Sequence, residues 1–522
     1  MTGVALPEHM LGADLVWWRT ANGARTTATV SWGIYHDFPE AVRLRAMLFG
    51  ADGSLRTSWD VTPRTDAPTV FDSAADGPWR RFPGEDGILA LYACTPGAPG
   101  AAARDRYYRL YTLVDWRSAD GDLATLHSDQ VVRRGRRRLQ RFTEIVVLER
   151  EGEENALVLL NGEDAQPANA LSVTVTNASG ERRIATYGVP MAPFTVHRVA
   201  LAELFARLRA FGGGAPLLVS GTFDSTGLFS RPYVVTTGRR WSAHHAGDVY
   251  GWTARPFAAH AIVSGEVNPM AVVCDDDTET CVNILHSHDG HERDTWVDAR
   301  LYDLDGRLVA ERMRWAPARR HGLSRRNVAD LLPPGTRAFR GHIALRFALD
   351  EKADVPWHVQ ALLEYRRAGG VARVMAWSDE WNSRVKLARR DASASPAVSR
   401  SYYRVWCDAD VDTQLSITNA GHEGYDRTAA VRALLVGAEG VVAETTFALA
   451  PFATRLADVR ALFPDADARL APTGHGLVIV ESASDLANVA FSCHRASGAL
   501  AAEHFMVWET VHEGEIVPVA GM

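Results

Sequence analysis

The residues with most chemistry to offer gather in a few short segments. His286-Ser-His288-Asp289-Gly-His291-Glu292 places three imidazoles and two carboxylates within seven positions. Imidazole and carboxylate donors suit Zn²⁺ and related transition ions, so His286, His288, Asp289 and His291 form a candidate set for a divalent metal. The competing reading is a solvated turn, because neighbouring loop histidines need a further ligand fixed elsewhere in the fold. A metal-dependent hydrolase built on this cluster is the weakest functional alternative, since nothing outside it supplies a general base or a pair of oxyanion donors.

A second group mixes aromatic rings with imidazoles and carboxylates. It comprises Leu126-His127-Ser128-Asp129, Trp241-Ser-Ala-His244-His245, Trp377-Ser-Asp379-Glu-Trp381 and Glu503-His504-Phe505. Rings stack on the C–H faces of sugars, and the polar groups hydrogen-bond to hydroxyls. His127, Asp129, Trp241, His244, His245, Trp377, Asp379, Trp381 and His504 are therefore candidates for a small polar ligand, with a saccharide the chemistry that fits. The alternative is that the tryptophans plug module cores or joints, as aromatic residues usually do. Ser128 beside His127 and Asp129 is no catalytic relay, because adjacent strand residues point to opposite faces.

Other charged segments read as turns and connectors. Asp275-Asp-Asp277 and Asp408-Ala-Asp410-Val-Asp412 could offer oxygens to Ca²⁺, but they lack the glycine and distal glutamate of an EF-hand loop. The run Arg133-Arg-Gly-Arg-Arg-Arg138 reads as a solvated linker or an inter-module ion pair.

The elements that must position these groups follow from the whole chain. It has 522 residues, 47% hydrophobic and 23% charged, which is the composition of a folded globular protein. A net charge of −7 argues against a nucleic-acid partner. No apolar run is long enough to span a membrane as a helix. Five scattered cysteines do not make a disulfide framework, and the N-terminus lacks the pattern of a secretory signal. A cytoplasmic protein is expected. Lys352 and Lys386 are the sole lysines, leaving Schiff-base and P-loop roles almost without candidates. No cofactor is expected beyond a divalent metal.

An internal repeat organises the rest. Leu15-Val-Trp-Trp18, Val146-Val-Leu148, Val272-Val-Cys274 and Arg404-Val-Trp-Cys407 open four segments about 130, 126 and 133 residues apart. Each opening strand leads through a polar turn to a second apolar run. A turn glycine follows at Gly53, Gly180, Gly306 and Gly440, and a proline at Pro63, Pro193, Pro317 and Pro451. Arg198–Leu208, Ser324–Leu332 and Arg455–Phe463 then show helical spacing of apolar residues. Strand-like runs rich in valine and aromatic residues close each copy. The fold expected is all-β: a tandem array of four β-sandwich modules over residues 1–130, 140–248, 260–390 and 400–515, each with about seven strands and one short helix. His245–Asp248 and Ala392–Val398 read as joints.

The fourth copy runs Leu415-Ser-Ile-Thr-Asn-Ala-Gly421, then Leu449-Ala-Pro451, then Ser492-Cys-His494-Arg495, and the third has Asn283-Ile-Leu-His286 at the first of these places. This order of strand, turn, apolar-proline segment and final His-Arg pair resembles the sensory rhodopsin transducer superfamily of small-molecule-binding β-sandwich domains. The resemblance implies ligand binding rather than catalysis and adds His494 and Arg495 to the candidate set. Four copies in one chain depart from that family's single-domain form. The function expected is a non-catalytic binding protein for a small polar ligand. The alternative is a structural protein assembling into homo-oligomers through sheet edges.

Overall fold

The structure is a computed structural model that describes residues 5–31, 42–100, 110, 112–127, 132–228, 232–248, 266–286, 294–319, 322–348, 359–377, 398–419, 427–484, 486–512 and 515–518. It is all-β. In the first module, β1 (Met10–Arg19), β2 (Arg25–Val30), β3 (Arg43–Gly50), β4 (Leu55–Val61), β5 (Thr69–Asp72), β6 (Asp86–Cys94), β7 (Thr112–Arg117) and β8 (Leu123–His127) form two antiparallel sheets. The first has the order β1-β6-β3-β4 and the second β5-β2-β7-β8. β1 is buried along nearly its whole length, whereas the edge strand β4 alternates. The same strand order recurs three times, starting from Val132–Val147, Glu266–Cys274 and Val398–Trp406. Additional strands, Gly247–Asp248 in the second copy and Met506–His512 with Glu515–Pro518 in the fourth, extend the first sheet beside its opening strand.

Conserved geometry has local causes that recur at the repeat spacing. Where the chain crosses from the first sheet to the second, a side chain ties the two strands together. The Thr26 hydroxyl accepts from Arg19 N at 2.8 Å, Thr280 from Val273 N at 3.2 Å and Thr413 from Trp406 N at 2.8 Å, and Asn155 Nδ2 donates to Leu148 O at 3.4 Å. The amides of Asn161 and Asn419 hold the turns after their strands. Asn161 Nδ2 donates to Asp164 O and Ala192 O, and Asn419 Nδ2 to Arg427 O, Leu449 O and Ala450 O. Asn419, in the segment Leu415–Gly421, is thus a structural anchor.

Three expectations need correction. The helical segments are half strand: Val196–Ala200, Gly322–Asn327 and Thr454–Asp458 are strands, followed by single turns of helix at Leu201–Leu204, Val328–Leu331 and Val459–Leu462. The apolar residues there fit both periods over so short a stretch, and pairing with the neighbouring strand decides. The arginine run is not a connector either. It lies in the strand Val132–Val147, where Arg137 and Arg138 pair with Thr226 and Ser225. His245–Asp248 is likewise strand rather than joint: His245 pairs with Tyr233, and Gly247 with Thr143.

The modules pack head to tail and the set closes into a ring. The first sheet of each module covers the second sheet of the next. Tyr233 OH of the second module donates to Leu15 O of the first at 3.4 Å. Val146 and Leu218 of the second pack with Leu285, Leu323, Leu362 and Met375 of the third. His342 of the third meets Thr454 of the fourth at 3.0 Å. Arg404 of the fourth reaches Thr27 O of the first at 3.0 Å, and this contact closes the ring. One repeated heterologous interface that closes after four copies gives an approximate fourfold axis.

The sequence landmarks meet across these seams. The Gly53 hairpin sits against Pro193, where a β-carbon would come 2.2 Å from Pro193 O, and the Gly306 hairpin against Pro451, at 2.4 Å from its carbonyl. Both glycines have positive φ, so turn and close approach alike require them. Beside them Phe49 stacks on Phe194 at 4.0 Å and Tyr302 on Phe452 at 4.9 Å.

Candidate metal centre

The last strand of each module's second sheet lies next to the axis. β8, Ser242–His245, Gly370–Trp377 and Leu500–His504 adjoin one another in turn. Their register places one residue of each at the same point: His127 opposite Leu113, His245 opposite Tyr233, Trp377 opposite Val359 and His504 opposite Val489. Three imidazoles from three modules therefore converge, and Glu503 joins them. One donor atom from each of His127, His245, Glu503 and His504 lies within 4.8 Å of all the others, and all four side chains are buried.

Glu503 is the centre of the cluster. Its carboxylate is 3.2 Å from His504 Nε2, 3.6 Å from His245 Nε2 and 3.7 Å from His127 Nδ1. Burial opposes its ionisation, but the charges of His504, His127 and His245 and a hydrogen bond from His127 outweigh this and hold the carboxyl down at about 2. The far nitrogens of two rings are fixed by backbone: His245 Nδ1 donates to Ala246 O at 3.0 Å and His504 Nδ1 to Phe505 O at 2.8 Å. That turns both Nε2 atoms toward Glu503, where a bound metal would take the place of their protons, the orientation that metal-binding histidines take from their outer partners. Among the described residues the cluster contains no cysteine, and elsewhere burial pushes Cys281 up to about 12 and Cys407 to about 11.

The other expected site residues fall elsewhere. His244 turns away from His245 and accepts from Arg373 Nη1 at 3.3 Å, and burial, then the positive charge of Arg373, keep it neutral. Trp241 closes the seam between the first and second modules, 6.1 Å from both Trp17 and Trp116, with Arg19 over its ring at 4.4 Å. His494 lies in the hairpin tip at the opposite end of the axial strands, where its Nδ1 accepts from Ser497 N at 3.2 Å. Arg240 knits that end, donating to Asp120 O and Ser497 O. Arg495 is exposed and paired with Asp412. Trp377 and His286 end strands, and nothing is described of their side chains. Asp129, Asp379, Trp381, His288, Asp289 and His291 lie outside the described residues. The acidic turns are capped internally, with Asp275 Oδ1 accepting from Thr278 N and Asp408 Oδ1 from Val411 N.

Sequence reasoning named the three histidines for a polar ligand and passed over Glu503 as a donor. The available signal was its position beside His504 at the end of a final strand. No protein-family model matches the chain, and no curated protein matches it.

Proposed function

We propose that this chain is a non-catalytic metal-binding protein whose four modules are organised around one divalent ion. The observation that carries this is the convergence of His127, His245, His504 and Glu503 from three modules on one buried point. A tetrahedral zinc site with bonds of roughly 2.0–2.1 Å sets its donors about 3.3–3.4 Å apart, and the Glu503 oxygens already stand 3.2–3.7 Å from the three imidazoles. Four buried protein donors would fill a tetrahedral shell and leave no open position of the kind a catalytic zinc keeps for water or substrate. The resemblance of the repeats to a superfamily of small-molecule binders supports the binding side of this reading. A saccharide has less in its favour, because Trp241 is closed into a seam and offers no free ring face.

Equilibrium dialysis against Zn²⁺ with elemental analysis tests the proposal. One ion per chain is expected, and Glu503→Gln should weaken binding at least tenfold. Wild-type chain that retains no zinc, nickel, cobalt, copper, iron or manganese after dialysis would sink it.

A further inference from the structure

The donors are unevenly distributed around the ring. Glu503 and His504 come from the fourth module, His127 from the first and His245 from the second. The seam between the fourth and first modules differs from the other three because no direct chain connection crosses it. His127 and Val132 are separated by four positions, so the first and second modules are tethered closely. His127 and Glu503, which face each other across the closing seam, belong to the first and fourth modules and are 376 positions apart. A tether raises the effective concentration of one module beside the next, and that help falls as the intervening chain lengthens. Closing this last seam therefore draws the least help from chain connectivity.

We infer that the ion is the clasp of the ring: bound to His127 on one side and to Glu503 and His504 on the other, a zinc-class cation drives closure of the seam between the fourth and first modules. This rests on the metal-binding reading above. The donor set is complete only when that seam is shut, so binding to the closed state shifts the equilibrium toward it by mass action. The donor chemistry selects the ion class. Three imidazoles and one carboxylate suit a borderline divalent ion, whereas Ca²⁺ and Mg²⁺ take six or more oxygens and Cu⁺ prefers sulfur. Ring closure would in this way report the supply of such an ion.

Side chains packed in different seams give an independent readout. Trp406 is wholly buried at the closing seam, with Arg117 of the first module 3.5 Å over its ring. Met375 is buried between the second and third modules, and Phe452 stacks on Tyr302 between the third and fourth. Hydroxyl-radical footprinting of the full chain, stripped by chelator and then given one equivalent of Zn²⁺, compares them. We expect Trp406 oxidation to be at least fivefold faster in the stripped chain, with Met375 and Phe452 unchanged. Glu503→Gln should show the stripped pattern even with zinc present, and if that variant does not fold the wild-type comparison stands alone. If zinc binds stoichiometrically but Trp406 does not respond, or all seams respond together, the clasp is wrong and the metal site stands. If no zinc binds, both fail.

Discussion

The seams of the ring are of two kinds. Between the first and second modules, and again between the third and fourth, the cores merge. One apolar cluster runs from Leu11 to Ala243 and another from Val267 to Ala502. The other two seams bury charge. On the third module's face of the seam with the second, Arg373 donates to Glu364 at 3.0 Å, both are essentially inaccessible, and Arg325 and Arg366 also bond Glu364; Arg366 crosses to Glu153 at 3.5 Å, and Arg373 Nη1 to Thr236 Oγ1 and His244 Nδ1 at 3.3 Å. Between the fourth and first, Arg404 pairs with Asp115 and Arg117 bonds Asp408 at 2.7 Å around the Trp406 ring. Burial alone would push Glu364 up, yet its three arginines hold it far below the usual carboxylate range. Burial lowers Arg404 to about 10 despite Asp115.

The contrast shows how related modules can be kept in order. Apolar sheet faces are poorly selective, since one covers another almost as well. Against the wrong face Arg404 would lose Asp115 and Arg366 would lose Glu153, and a buried charge left unpaired in this way costs far more than a lost apolar contact. The chain is accordingly two fused pairs joined by two selective seams. The first and third modules resemble each other in detail, as do the second and fourth. Phe49 and Tyr302 occupy matching places, and so do Phe194 and Phe452, both at positive φ.

The largest expected effect comes from breaking a charged seam on one side. Glu364→Ala takes the carboxylate from the buried Arg373 and from Arg325, while Arg366 keeps Glu153, and should cost about 3–5 kcal/mol in urea denaturation. Replacing Arg373 by Met in the same chain should restore part of that loss. At an apolar seam, Val489→Ala removes buried methyl groups facing the third module and should cost about 2–3 kcal/mol, independent of pH and salt. The same loss from both variants would erase the distinction between the seams.

Acid should separate the two apolar seams from each other. His342, opposite Tyr302, occupies the place that Ile88 takes opposite Phe49. Burial, opposed by Asp303, lowers His342 to about 3. Because the folded value lies below the unfolded one, its contribution is fully present above pH 6.5 and is lost as pH falls toward 3. At pH 5 the loss amounts to about 2 kcal/mol, which His342→Ile should abolish in denaturation curves recorded from pH 7 to 5. At the small end, Glu444→Gln breaks an exposed pair with Arg432 on an edge strand and should leave the urea midpoint where it was.

Much of the fold was legible. The opening strands fall where valine and tryptophan runs recur, and the turn glycines take positive φ at Gly53, Gly180, Gly306 and Gly440. What misled was length: a segment such as Thr454–Leu462 is too short for periodicity to separate a strand from a helical turn. Within the site, His127, His245 and His504 could be named because module ends repeat. Their convergence could not, because pattern along a strand does not say which modules touch.

The amino-acid sequence by itself determined that this protein is built from four β-sandwich repeats, and where each repeat would carry its imidazoles. Alternation, turn glycines and crossing-strand threonines act over a few residues, so each repeat encodes them locally. Only the tertiary structure decided that the repeats close head to tail, that Trp241, Trp406, Arg404 and Asp115 belong to seams, and that Glu503 meets three histidines at the axis. Those outcomes depend on sheet faces hundreds of residues apart finding complementary partners, and they follow from shape and charge matching rather than from spacing along the chain.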